Sequence, residues 1–348
     1  MIRSAGVRFM LIACGFLAAV TLAHAADRRV GDATGRQVAV PEKIQRVYAA
    51  GPPASVFVFA LTPDKLIGWA RAMRPQEEIF LPQQYWNLPE LGRLTGRGNT
   101  TNIEVLLAAK PNLIVDVGST APTFVSLAER VQEQTGIPYL LYDGSFARTA
   151  QTFRDLGVVL GDEARGKQLA AYIEKTLADI RTKITTIPAD KRPRVYYART
   201  PTGLQTALQD SINVEVLDLL GAVNVAGQGV GGLTNVSLEQ VLGWNPDVIV
   251  TTDLNFYANV YQDSRWASLD AVKARRVYLS PHLPFGWFDF PPGPNRVVGL
   301  HWLAKILYPE LFKDDLRPKV TEFYKLFYHR EPSDDMLDAL FADGTVPK

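Results

Sequence analysis

The sequence predicts an α/β protein of two α/β lobes with parallel-type sheets, joined by one long backbone helix and separated by a ligand cleft. Three observations lead to this prediction. A long amphipathic segment lies near the middle of the chain, a similar local sequence occurs on either side of it, and predicted strands alternate with predicted helices. Such alternation is typical of parallel sheets, because two parallel strands need a crossover connection between them.

The segment 162–186 predicts the long helix. Its apolar residues recur at spacings of four, four, three and four, which places them on one helical face: Leu169, Ile173, Leu177, Ile180 and Ile184. Asp162 is placed to cap the first turn, and Pro188 ends the helix because proline has no N–H to donate. The helix would be about 37 Å long, roughly the width of a small domain.

The repeated sequence lies on both sides of this helix. Residues 102–115 read NIEVLLAAKPNLIV and residues 237–250 read SLEQVLGWNPDVIV, an offset of 135 residues. Each copy contains a glutamate, a proline and a final apolar run, and the two glutamates are Glu104 and Glu239. Each copy therefore predicts a short helix followed by a buried strand.

The remaining elements follow from local pattern and turn residues. For the first lobe, residues 26–160, the sequence predicts a hairpin over 27–41 and strands at 46–50, 65–70, 113–117 and 139–142. It predicts one helix that begins at residue 54 and three more over 104–109, 124–135 and 149–160. Residues 161–188 form the predicted linking helix. For the second lobe, residues 189–330, it predicts strands at 194–198, 248–252 and 277–279 and helices over 211–220, 239–242, 295–307 and 320–327. Residues 331–348 are expected to form a peripheral helix and tail.

The first 25 residues predict a secretory signal peptide. Arg3 and Arg8 give a basic start, residues 9–22 are almost wholly apolar, and the segment ends in the small-x-small pattern Ala-His-Ala. A lipid anchor at Cys14 is not expected, since the apolar run before it is too short. Cys14 is the only cysteine, so the mature chain has no disulfide, which fits a bacterial periplasm.

The charge balance gives no sign of a polyanionic partner. The chain has 37 basic and 36 acidic side chains, and removal of the signal peptide takes away two of the basic ones. We therefore expect no nucleic-acid partner. We expect the mature protein to be a soluble monomer.

With the signal peptide, the duplicated unit and the linking helix, the chain resembles the periplasmic substrate-binding proteins of ABC importers for iron–siderophore, haem and cobalamin, the helix-backbone class III family. The resemblance implies binding rather than catalysis, and an inner-membrane permease as partner. In that family one glutamate on each lobe docks against arginines of the permease, and Glu104 and Glu239 match those positions. The alternative is that both acids only favour the first turn of a helix.

Ligand contacts are expected in the loops beyond the carboxyl ends of the strands. Aromatic side chains there offer flat apolar area to a chelate, and arginines can meet its carboxylates. The candidate ligand-binding residues are Trp69, Arg71, Tyr85, Trp86, Arg97, Tyr197, Arg199, His282, Trp287 and Phe288. For Trp287 and Phe288 the alternative is a hydrophobic plug against the helix 295–307. For each arginine a structural role is the alternative.

The sequence favours an already chelated metal over a bare ion. The mature chain has only His282, His301 and His329, and only the first lies in a predicted cleft loop. His282 would complete the coordination of a chelated metal, or serve only as a hydrogen-bonding residue. Residues 227–232 satisfy G-x-G-x-x-G, but a helix precedes them and the next helix starts late, which favours a flexible cleft loop over a dinucleotide site.

We therefore expect a protein that captures a metal chelate, with a ferric siderophore favoured, and delivers it to an ABC transporter permease. Haem, cobalamin or another metal complex is the alternative ligand. An exported enzyme that uses the same cleft is a remote alternative, since there is no G-x-S-x-G elbow and no nucleophile–His pair in the candidate loops. No cofactor is expected.

Overall fold

The structure, a computed structural model, describes residues 27–96, 101–227, 229 and 232–342. The signal peptide, Cys14 and Arg97 lie outside the described residues. Within them, no helix is both long and apolar enough to cross a membrane.

The N-terminal part contains an antiparallel hairpin and a parallel sheet. The strands are β1 (Asp27–Gly31), β2 (Gln37–Pro41), β3 (Val47–Ala49), β4 (Leu113–Gly118) and β5 (Tyr139–Asp143). β1 pairs with β2, and the parallel sheet has the order β3-β4-β5. The helices are α1 (Pro52–Leu61), α2 (Pro75–Glu78), α3 (Ile103–Ala108), α4 (Pro122–Thr135) and α5 (Thr149–Leu160).

The long helix is α6 (Glu163–Ile184), as the sequence predicted. The Asp162 carboxylate accepts from the backbone N–H of Arg165 at 3.1 Å and caps the first turn. Four of the five predicted apolar residues are buried, and Leu177 is partly buried against the same core. The predicted apolar face is therefore the face that packs.

The C-terminal part has a four-stranded parallel sheet and a separate two-stranded pair. The strands of this part are β6 (Arg194–Ala198), β7 (Gln205–Ala207), β8 (Val223–Asn224), β9 (Leu233–Asn235), β10 (Val248–Thr251) and β11 (Val277–Leu279). The sheet has the order β11-β10-β6-β8, and β7 and β9 form a separate antiparallel pair. The helices are α7 (Glu215–Leu219), α8 (Leu238–Trp244), α9 (Leu254–Val260), α10 (Asp270–Lys273), α11 (Arg296–Leu307), α12 (Arg317–Phe327) and α13 (Asp334–Leu340).

The sequence repeat corresponds to a repeat of structure. β4 lies between β3 and β5, and β10 lies between β6 and β11, with every pairing parallel. A short capped helix precedes each central strand. The Asn102 side chain accepts from the Val105 N–H before β4, and the Ser237 hydroxyl accepts from the Gln240 N–H before β10.

Several predicted elements differ from the structure. The predicted strand 65–70 forms only isolated bridges, Val47 to Leu66 and Trp69 to Glu90. The predicted helix 211–220 shrinks to α7, because the Ser211 and Asn213 side chains make local or loop hydrogen bonds instead. The segment after β10, which lies beyond the carboxyl end of a strand where the sequence predicted a loop, contains α9, whose first turn is capped by Asp253.

The C-terminal helices tie the two halves together. α11 contacts α6 and α7, and α12 contacts α1. The expected tail contributes α13, whose Met336, Leu337 and Leu340 are buried in the main core. That core runs from α1 and α5 through α6 to α11 and α12, so it is continuous across both lobes.

Candidate functional site

A small cavity lies between the lobes at the carboxyl end of β3. Its volume is about 20 Å³, roughly the space of one water molecule and far below the usual range for sites that hold drug-sized ligands. The N-terminal lobe lines it with Pro52, Ser55, Trp69, Ala70, Arg71 and Met73. Phe285 and Pro291, from the segment that follows β11, close the other side. The cavity therefore lies where the rule for parallel sheets predicted a ligand.

Arg71 is the charged residue among the described residues that line this cavity, and Glu77 holds it in place. Arg71 Nη1 donates to Glu77 Oε2 and Nη2 donates to Oε1, both at 2.8 Å. Nη1 also donates to the Ala72 carbonyl at 2.9 Å. These bonds use three of the five N–H groups of the guanidinium and leave the adjacent Nε–H and second Nη2–H. That edge of arginine is suited to two-point binding of an oxyanion.

The Glu77 carboxylate is fully buried, and both of its oxygens accept hydrogen bonds. Besides Arg71, it accepts from Arg74 Nε, Nη2 and the backbone N–H at 2.6–2.9 Å. Burial raises the pKa of Glu77, but the bonds from Arg71 and Arg74 outweigh it and hold the pKa below its usual value. Glu77 is therefore an anchor for two arginines, and the side chains of both remain about half exposed.

Trp69 borders the same cavity from the core side. Its ring is 5.2 Å from that of Phe59 and 5.9 Å from that of Phe285, and only 2% of the residue is exposed. The indole Nε1 is buried and has no hydrogen-bond partner among the described residues. Buried donors are normally paired, so this nitrogen needs an explanation.

On the C-terminal side, Arg199 forms a buried ion pair with Asp289. Asp289 also accepts from the Tyr197 hydroxyl at 2.9 Å and from Asn213 Nδ2 at 3.0 Å. Burial and the Asp289 charge raise the pKa of Tyr197, so its phenol stays protonated and donates. The network holds Arg199 in place, and the Arg199 Nε has no partner among the described residues.

Phe290 connects this network to the cavity. Its ring lies 4.3 Å from the Arg199 guanidinium carbon, and it directly precedes the cavity residue Pro291. Phe290 is 56% exposed and has φ = 61°, which is rare for a bulky residue. It is an exposed aromatic residue directly after Asp289, which the candidate residues Trp287 and Phe288 precede.

Trp287 and Phe288, which the sequence suggested as ligand contacts, lie in the core. Trp287 is fully buried, its Nε1 donates to the Tyr324 hydroxyl at 3.1 Å, and its backbone packs on Gly299 of α11. Phe288 packs on Tyr197, with ring centroids 4.5 Å apart. This geometry is that of the hydrophobic plug against α11, and neither ring offers a surface to the cavity.

Tyr85 and Trp86 lie away from the inter-lobe cavity. Tyr85 donates to Asp64 at 2.7 Å and lines a different, polar depression near the start of α6. Trp86 donates to the Leu81 carbonyl at 2.9 Å. Their contact with a ligand stays a prediction, as does that of Arg97.

His282 is half-buried close to Arg74 and Glu77. Burial and the Arg74 charge lower its pKa, so the imidazole is neutral at pH 7. In the described part of the chain, no three His, Cys, Asp or Glu side chains are grouped to hold a metal. The role of His282 toward a chelated metal stays a prediction.

The G-x-G-x-x-G segment leads into a strand. Gly232 is followed directly by β9, whereas a dinucleotide site needs a helix N-terminus at that point. Residues 228, 230 and 231 lie outside the described part of the chain.

Glu104 and Glu239 are exposed in the first turns of α3 and α8. The Glu239 backbone N–H and the Ser237 hydroxyl lower the pKa of Glu239. Val105 and Leu107, beside Glu104, are also exposed.

Sequence reasoning missed Glu77, Asp289, Asn213 and Ser55. Glu77 follows Arg71 and Arg74 by six and three residues, and the three-residue spacing was the available local signal. Asp289 and Asn213 are 76 residues apart, so only the fold brings them together.

The chain is similar to known binding proteins. The model of the family described as periplasmic binding protein matches residues 82–282. The molybdate-binding protein of Haemophilus influenzae is 31% identical, over 92% of this chain and 96% of its own. The vitamin B12-binding protein of Vibrio cholerae is 26% identical, over 73% of this chain and 86% of its own.

Solved structures give the same picture of the fold. An ABC transporter solute binding protein from Sulfurospirillum deleyianum has a TM-score of 0.83 at 33% identity, covering 90% of this chain and 99% of that one. The molybdate-bound structure from Haemophilus influenzae has a TM-score of 0.74 at 24% identity, covering 88% and 99%.

Proposed function

This chain belongs to the periplasmic binding protein family, and we propose that it captures a small oxyanion of the molybdate type in the periplasm for an ABC transporter. Relatives in this family are solute-binding proteins, which fits binding rather than catalysis. The predicted signal peptide would export the chain. The mature protein would act as a monomer.

The observation that supports the oxyanion is Arg71, which lines the inter-lobe cavity with a half-exposed side chain and has N–H groups that Glu77 and Ala72 leave unused. Glu77 fixes the guanidinium from one side, so two parallel N–H groups remain on the other. Two parallel N–H donors suit two oxygens of a tetrahedral anion. A pre-positioned arginine also loses less conformational freedom when the ligand binds.

The lining of the cavity favours a small ligand. At about 20 Å³ the cavity holds about one water molecule, so its walls must move apart even for a small anion, and much further for a macrocycle. The large aromatic rings expected to cover a macrocycle, Trp287 and Phe288, are occupied in the core. The molybdate-binding relative supports the same class of ligand.

A metal chelate, with a ferric siderophore foremost, is the second candidate. The exposed ring of Phe290 beside Arg199 favours it, since an aromatic face and a cation suit a chelate with carboxylates. Haem and cobalamin fall in the same class, and the vitamin B12-binding relatives support it.

We propose that Glu104 and Glu239 dock on the permease. Each lies in a first turn and is exposed, and the two belong to equivalent units of the repeat. The exposed Val105 and Leu107 add apolar area beside Glu104, as protein-binding surfaces often do.

Titration calorimetry on the mature chain tests the ligand. Molybdate, tungstate, sulfate and phosphate are compared with a ferric hydroxamate, haemin and cobalamin. We expect saturable binding of molybdate or tungstate. Binding of a chelate without binding of any oxyanion would contradict the proposal in favour of the second candidate.

A further inference from the structure

We propose that residues 71–79 form a flap over the inter-lobe cavity, and that this flap tilts outward as one body to admit the solute. The inference rests on the proposed function, because the cavity is the proposed binding site. The cavity holds about one water molecule, so a wall must move before a larger solute enters. Its walls are the start of α1, the segment after β11, and the chain from Trp69 to Met73.

The segment after β11 is fixed to α12. Trp287 Nε1 donates to the Tyr324 hydroxyl at 3.1 Å, and the same hydroxyl donates to the Leu283 carbonyl. The ring of Phe285, which faces the cavity, lies 5.6 Å from that of Tyr328. Moving this wall would break buried hydrogen bonds and separate packed rings, which is costly.

The start of α1 is fixed in the main core. Every residue of this helix from Ala54 to Leu61 is buried. Pro52 and Ser55 line the cavity, and the Ser55 N–H donates to the Gly51 carbonyl at 3.1 Å. This wall therefore moves only if the core of the N-terminal lobe is displaced.

The flap, in contrast, is held together by hydrogen bonds within itself. The Glu77 carboxylate accepts from Arg71 Nη1 and Nη2, and from the Arg74 backbone N–H, Nε and Nη2, at 2.6–2.9 Å. The backbone hydrogen bonds of the flap stay within residues 74–81. Among the described residues, no hydrogen bond or ion pair joins the flap to a part of the chain outside 71–81. The flap can therefore tilt without breaking such a bond.

Both ends of the flap are anchored, which confines the movement to the residues between them. Before the flap, the Trp69 N–H donates to the Pro89 carbonyl at 2.8 Å. After it, Phe80 is fully buried, and its ring lies 5.7 Å from that of Tyr324. Most of the residues between are exposed, including the apolar Ile79. A segment with few contacts to the core opens at low cost in free energy.

Met73 makes the contact that opening must break. It lines the cavity and packs, partly buried, against the main core. A flexible methionine side chain suits a contact that is made and broken repeatedly. Arg71 belongs to the flap as well, so opening moves the charged side chain of the cavity together with its anchor Glu77.

Distances between spin labels test the movement in the full mature chain. Cys14 is the only cysteine of the sequence and lies in the predicted signal peptide, so two introduced cysteines take both labels. Gln76→Cys with Glu133→Cys, the flap pair, places one label on the flap and one on α4 of the same lobe. Glu133→Cys with Lys273→Cys, the lobe pair, spans the two lobes from α4 to α10.

We expect saturating molybdate to shift the distance of the flap pair by more than about 2 Å, the size of loop rearrangements on binding. The distance of the lobe pair should change by less. A flap pair that does not shift at saturation would overturn the inference. A lobe pair that shifts as much as the flap pair would also overturn it, since the lobes would then be the moving parts.

A comparison without ligand tests the flap separately from the proposed function. In Glu77→Gln the flap loses its internal anchor, so the distribution of distances in the flap pair should widen. Glu78→Gln, one residue further along α2, is the matched control and should keep the width of the wild type. Equal widths in Glu77→Gln and wild type would overturn the inference. A widened distribution without any binding of molybdate would refute the proposed function and still support the flap.

Discussion

Arg71 and Glu77 form a two-point ion pair, in which Nη1–Oε2 and Nη2–Oε1 are both 2.8 Å apart and the carboxylate is fully buried. The pair fixes one edge of the guanidinium, and Arg71 lines the inter-lobe cavity. Arg74 binds the same carboxylate but does not line the cavity. Arg71 and Arg74 thus bind the same Glu77 carboxylate, but Arg71 lines the cavity and Arg74 does not.

The first prediction uses this difference. Arg71→Lys should weaken molybdate binding at least tenfold, because an ammonium cannot reproduce the planar two-point contact. Arg74→Lys is the matched control and should change the affinity by less than about twofold. Titration calorimetry measures both. Equal losses in the two variants would mean that only the total charge near Glu77 matters.

The second prediction concerns Glu77 and pH. The pKa of Glu77 is lowered in the folded state, so its carboxylate contributes stability above the unfolded value, near 4.5. That contribution is lost as the pH falls through the folded pKa. Glu77→Gln should therefore lower the free energy of unfolding at pH 7 by about 1–3 kcal/mol.

Urea unfolding of wild type and Glu77→Gln at several pH values checks this. The difference between them should be constant from pH 7 to about pH 5.5 and should shrink below about pH 4.5. Glu78→Gln, one residue further along α2, is the control and should behave as wild type. A difference that grows toward low pH would show that the sign of the pKa shift is wrong.

The third prediction concerns the contact between the lobes. Arg296 is buried at the start of α11; its Nη1 donates to the Ile212 carbonyl and to Glu215, and its Nη2 donates to the Gly144 carbonyl after β5. Arg296→Ala leaves these acceptors without their charged donor, so the free energy of unfolding should fall by about 3–5 kcal/mol.

Arg154→Ala is the control for Arg296→Ala. Arg154 pairs with Glu174 on the surface, where such pairs contribute at most about 1 kcal/mol. Thermal and urea unfolding measure both variants. Similar small losses in the two would mean that Arg296 does not hold the lobes together.

The sequence predicted the fold well where the signal was local and periodic. The α6 stripe from Leu169 to Ile184 repeats with the helical period, and the duplicated segments each contain their own cap and strand. The prediction was weaker at 65–70, where an apolar run forms only bridges, since a bridge depends on the distant residues Val47 and Glu90.

The candidate site could be predicted only in part. The strand-end rule named Trp69 and Arg71, and both line the cavity, although the strand predicted at 65–70 forms only bridges; their contact with a ligand stays a prediction. It could not show that Trp287 turns toward Tyr324 and away from the cavity, because that depends on α12, which lies 37 residues further along the chain. It also could not show that Asp289 neutralises Arg199, since the ion pair joins two loops 90 residues apart.

The last prediction concerns delivery to the permease. Glu104→Arg with Glu239→Arg reverses one exposed charge on each unit of the repeat, at two short helices that do not line the cavity. Uptake of the ligand by whole cells should fall at least tenfold, because like charges would now face the arginines expected on the permease. The affinity of the purified variant for molybdate should stay within about twofold of wild type.

The control is Glu133→Arg with Glu322→Arg, two exposed glutamates on α4 and α12, which should leave uptake unchanged. Normal uptake by the first variant would contradict the docking role, and equal losses in both pairs would point to surface charge in general rather than to these two residues.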